Sequence, residues 1–130
     1  MLEYRGQPEA TWDYRSNFMD QNYVFPANFA QVMTDHVYIH TVIPTGVDSC
    51  VFQCMMLTPE EPTTEKAESH YQRNHDVVRV AFDEDFVIGE GIQQGLATGA
   101  NQHFTFGRYE CGLHLGQRSI DAALAGELRL

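Results

Sequence analysis

Asp35-His36-Val37-Tyr38-Ile39-His40-Thr41-Val42-Ile43 is dense in β-branched and aromatic residues, and Pro44-Thr45-Gly46 closes it with turn chemistry. It reads as a strand. Beyond the turn, residues 49–57 carry Val51, Phe52, Cys54 and Met55, again strand formers, so the two segments make an antiparallel hairpin. Thr58-Pro59-Glu60-Glu61-Pro62-Thr63-Thr64 then breaks the sheet pattern, and Thr63 or Thr64 can cap a helix running through Lys66, Ala67 and Tyr71. Within residues 83–96, Ile88, Ile92 and Leu96 recur every four residues, which predicts a further helix with that stripe buried. Gly89 and Gly91 weaken it by about 1 kcal/mol each relative to alanine, so tertiary support is required. Gly95, Gly99 and Gly107 bracket a loop, and a last helix from about Tyr109 is expected to bury Leu113, Ile120 and Leu124. Upstream of the hairpin, the region around Gly6, Pro8, Trp12 and Tyr14 shows neither a helical period nor a clean alternation, and reads as an arm or an edge strand. Strands followed by helices, without regular alternation, give an α+β fold: an antiparallel sheet with helices on one face.

At 130 residues the chain is the size of one domain, and 43% hydrophobic residues are enough to bury a core. Eighteen acidic residues against eight basic ones give a formal net charge of -10, which repels phosphate backbones and anionic membrane surfaces. Nucleic acid is excluded as a natural partner. Cys50, Cys54 and Cys111 form no disulfide-like framework, and the amino terminus lacks the basic and apolar regions of a secretory signal, so a reducing cytosol is expected. No apolar run approaches the roughly 20 residues of a membrane-spanning helix.

Several short motifs fall in a characteristic order. Asp83-Glu84-Asp85-Phe86 is followed by Glu90, Gln93 and Gly95-Leu96, then by Phe106-Gly107-Arg108-Tyr109-Glu110 and the closing helix; upstream lie Phe25-Pro26-Ala27-Asn28 and Ile43-Pro44-Thr45-Gly46. The series resembles the end of the catalytic domain in alpha subunits of Rieske non-haem iron, aromatic-ring-hydroxylating oxygenases. The resemblance runs from about Tyr23 to Leu124. It implies a helix-grip fold of the Bet v 1 or START kind, here in partial form, in which a curved antiparallel sheet wraps a long helix around a pocket. It further implies a mononuclear iron(II) held by two histidines and a carboxylate, with open positions for dioxygen beside a small aromatic or apolar substrate. Electrons would come from a Rieske [2Fe-2S] cluster on a separate domain, supplied by a reductase or ferredoxin chain to what is expected to be a homo-oligomer.

On that resemblance Asp85 falls at the iron carboxylate. The competing reading is that Asp83, Glu84 and Asp85 only favour the positive end of a helix dipole. The family's Asp-x-x-His-x-x-x-x-His segment does not occur in the sequence, nor does the Cys-x-His of a Rieske domain, so the chain is expected to lack a complete active site and to retain iron poorly. His36 and His40, four residues apart on a strand, would sit about 13 Å apart, too far for one ion. His70 and His75 have the family's histidine spacing and could join Asp85 as a self-contained metal site, but five residues on a regular helix separate the side chains by about 140°, so that site needs a break between them. The alternative is that both are solvated, as expected for His103 and His114. Cys50 and Cys54 read as buried strand residues, and Cys111, with Glu110 beside it, as no activated nucleophile. Tyr38, Phe52, Phe82, Phe104 and Phe106 line either a ligand pocket or an ordinary core. The functional alternative to an oxygenase part is a non-catalytic helix-grip module that dimerises or holds a small apolar ligand.

Overall fold

A computed structural model describes residues 5–13 and 19–127. Four strands, β1 (Asp20–Val24), β2 (Asn28–Val32), β3 (Val37–Pro44) and β4 (Cys50–Leu57), precede two helices, α1 (Glu65–Ala97) and α2 (Cys111–Leu124). The strands form one antiparallel meander in the order β1-β2-β3-β4. The fold is therefore α+β, with the hairpin where the β-branched residues place it. A single turn of 3-10 helix at Glu9–Thr11 lies in the region read as an arm or an edge strand, whose Tyr14 falls outside the described residues.

Register assigns the faces. His36, just before β3, and Tyr38 and His40 on it alternate and are buried, with Met56 opposite Tyr38, Cys54 opposite His40, and Phe29 of β2 opposite His40 on the other side. This inner face carries an aromatic seam. Phe29 stacks on His40 at 4.4 Å between ring centres, and His40 stacks on Phe52 at 5.5 Å. From α1, Phe82 lies 4.7 Å from Phe52 and 4.9 Å from His40, while Phe86 reaches Phe52 at 5.1 Å. Packed aromatic pairs of this kind add about 0.5–1.5 kcal/mol each beyond their buried area.

One helix stands where the sequence suggested two. Thr64 is the N-cap, its hydroxyl accepting from the amide of Ala67 at 3.2 Å, and α1 then runs unbroken through Asp83, Gly89 and Gly91. The acidic triplet resembles a helix start only locally, because Phe82 and Phe86 on either side of it anchor the same helix to the sheet. At 33 residues, α1 is about 50 Å long, roughly twice the span of β3 or β4, and none of its residues is fully buried. The expected buried stripe is corrected as well: Ile88 and Ile92 are 63% and 52% exposed. On α2, Leu113, Ile120 and Leu124 also face outward, and the contact with the sheet runs through Gly116, buried against the ring of Tyr23 on β1. Tyr23 pairs with Phe29, so both helices lie on one face of the sheet. On the opposite face Ile43, Val51, Met55 and Leu57 are each about half exposed.

Candidate functional site

Asp85 sits mid-way along α1, far from either helix end, which removes the dipole explanation for the acidic triplet. At 100° per residue it lies about 60° around the helix from Phe82, and Ile88 shares the direction of His70. The His70 flank points towards β2, because His70 Nε2 lies 2.7 Å from Asp35 Oδ2 in the β2–β3 turn. The opposite flank points towards β4: Phe86 touches Phe52, and Glu90 and Gln94 border a surface depression with Asp48 of the β3–β4 turn. Asp85 therefore stands on the β2 side of α1. Its side chain is exposed and makes no hydrogen bond or ion pair with any described residue.

The histidines are dispersed. His70 and His75 ride the unbroken helix, so the break that a joint site with Asp85 requires is missing. His75 projects in the direction of the sheet, and Asp85, ten residues further on, is displaced by about 15 Å along the axis. His70 is engaged instead by Asp35, whose other oxygen lies 2.7 Å from Nδ1 of the buried His36. Hydrogen bonding from His36, and then from His70, holds the Asp35 carboxyl below its usual range against a modest cost of burial. One carboxylate thus ties the start of β3 to the first turns of α1.

Three buried polar atoms on the inner face have no hydrogen-bond partner among the described residues: His36 Nε2, Tyr38 Oη and His40 Nδ1. Burial pushes the Tyr38 phenol up to about 12 and depresses His40, so both are neutral near pH 7. His40 Nε2 meets Gln31 Oε1 at 3.2 Å, and burial also raises the Cys54 thiol opposite it. His36 and His40 face the same interior with Tyr38 between their rings, as the period-two spacing dictates. That spacing was the available signal for this polar row; the Asp35–His70 link, 35 residues apart in sequence, left none. Tyr38 is fully buried, Phe52 and Phe82 are half-buried in the aromatic seam, Phe106 packs edge-on against His114, and Phe104 is 64% exposed. Both cysteines lie on β4, but the expected burial is corrected: Cys54 is half-buried on the inner face and Cys50 is exposed.

The family model for the ring hydroxylating alpha subunit (catalytic domain) matches residues 2–126. The chain belongs to this family. No curated relative and no solved structure matches it. Against a ring-hydroxylating catalytic centre, the chain's own residues fall short: among the described residues no three His, Cys, Asp or Glu side chains are grouped to hold one ion. No two histidines are grouped with Asp85, so a two-histidine, one-carboxylate set does not fit within these residues. No helix of the described residues is long and apolar enough to cross a membrane.

Proposed function

We propose that this chain is one portion of a ring-hydroxylating oxygenase catalytic domain of helix-grip type, acting in the cytosol. In this reading α1 presents Asp85 as the carboxylate for a mononuclear iron(II), while both histidine ligands and the Rieske [2Fe-2S] cluster belong to polypeptide outside these 130 residues. The observation that carries it is a family match along nearly the whole chain, together with a carboxylate left without a partner on the β2 flank of a helix anchored immediately beside it by Phe82 and Phe86. Rigid anchoring suits a metal ligand, since a carboxylate on a packed helix can be aimed without loop motion. The completed site would add dioxygen-derived oxygen to a small aromatic or related apolar substrate, with electrons from a reductase or ferredoxin partner, in a homo-oligomer.

Anaerobic titration with iron(II) tests the assignment. The 130-residue chain alone should retain no stoichiometric iron after dialysis, as a single carboxylate cannot hold it. Co-expression with a polypeptide carrying the histidine and Rieske segments should restore iron, and Asp85→Ala should abolish that gain while leaving the circular dichroism unchanged. Stoichiometric iron on the isolated chain, insensitive to Asp85→Ala, would sink the proposal. The half-exposed apolar face of the sheet favours a second reading, a non-catalytic module that dimerises; a strict monomer in sedimentation would remove it.

A further inference from the structure

The two edges of the sheet are built differently. β1 is five residues long, begins with Asp20 and exposes polar Gln21 and Asn22. β4 is eight residues long and pairs with β3 along its whole length without a bulge. It contains no charged residue and no proline, and Val51, Met55 and Leu57 on one face and Phe52 and Met56 on the other are apolar. Every second residue of such a strand turns its N–H and C=O away from β3. Edges are ordinarily blunted by charge, proline, bulges or shortness, and β4 has none of these.

Charge identifies what would pair there. On the β4-facing flank of α1 stand Glu65, Glu68, Asp76, Asp83 and Glu90, with Arg79 as the one basic residue, 3.9 Å from Asp76. A second copy of this chain is a poor occupant. Two-fold β4–β4 pairing would bring two such flanks side by side in a protein of net charge -10. We propose that the free edge of β4 accepts an extended, lysine- or arginine-bearing segment of a separate polypeptide, whose backbone continues the sheet and whose basic side chains meet the acidic flank of α1. This surface lies across α1 from Asp85, so the inference stands independently of the iron assignment.

Fluorescence anisotropy with short labelled peptides tests it on the intact chain. A peptide alternating valine and lysine should bind, and its valine–glutamate counterpart should not. Methylating alternate backbone amides of the lysine peptide should abolish binding, because it removes the donors that pair with the edge. Raising salt from about 0.05 to about 0.5 M should weaken binding about tenfold. Glu68→Lys and Asp83→Lys, both on exposed helix positions, should each weaken it about fivefold with unchanged circular dichroism. Equal binding of the methylated peptide would show charge attraction without strand pairing and overturn the proposal. So would a β4-mediated dimer in sedimentation that the lysine peptide fails to displace.

Discussion

The seam beneath α1 and the seat of α2 solve the same packing problem with different materials. Under α1, rings from β2, β3 and β4 interlock with Phe82 and Phe86, so large side chains hold helix and sheet apart while filling the space between them. Under α2, the helix comes close to β1 because Gly116 has no side chain, and a Cβ built there would lie 3.4 Å from Tyr23 Cζ. Bulk gives the first contact its area, whereas closeness gives the second its fit. The first engages five rings and is expected to contribute more to stability.

Phe52→Ala should therefore produce the largest effect, a loss of about 3–5 kcal/mol in urea unfolding, since it empties the centre of the seam. A loss below about 1 kcal/mol would mean that the rings merely touch. Gly116→Leu should cost less, about 1–3 kcal/mol, by overpacking against Tyr23. Hydrogen exchange should locate that cost, with protection falling in α2 and staying constant in α1. Parallel loss in both helices would contradict the separation. Thr64→Ala, which removes the cap of α1, should cost about 1 kcal/mol and fray only its first turn.

Acid sharpens the contrast further, because the titrating groups cluster on the α1 side. Burial depresses His40, so the folded state binds its proton less readily than the unfolded chain. Its contribution is fully present above the ordinary histidine value of about 6.5 and is lost as pH falls through the folded value. Asp35 is also depressed, and its contribution fades at lower pH, below the ordinary carboxylate value of 3.8. His40→Phe should flatten the slope of urea stability between about pH 7 and 5, and Asp35→Asn should flatten only the more acidic limb. An unchanged slope in His40→Phe would place the acid sensitivity elsewhere.

The hairpin and the Thr64 cap were readable because turn chemistry, β-branching and capping act over a few neighbouring residues. β1 and β2 were not. Asp20–Val24 and Asn28–Val32 are short and mix amides with apolar residues, and their alternation shows only once Tyr23, Phe29 and His40 are seen side by side. The long helix was divided in two because Asp83-Glu84-Asp85 and the nearby glycines carry local boundary signals, which the seam on either side overrides. Ile88, Ile92, Leu113 and Ile120 satisfy helical periodicity yet lie outward, so periodicity located a face and tertiary contacts chose another. For the candidate site, the family motifs marked Asp85, while its flank and its isolation from the histidines followed only from the helix continuing without a break.

A rod longer than the platform beneath it, pinned at His70 by Asp35 and gripped farther on at Phe82 and Phe86, cannot pivot about a single point. Force applied at the Glu90–Ala97 end would flex the rod beyond its second hold, and side chains near that end would sweep the widest arcs. Asp85, between Phe82 and Phe86, sits within that hold, where such flexing displaces a carboxylate least.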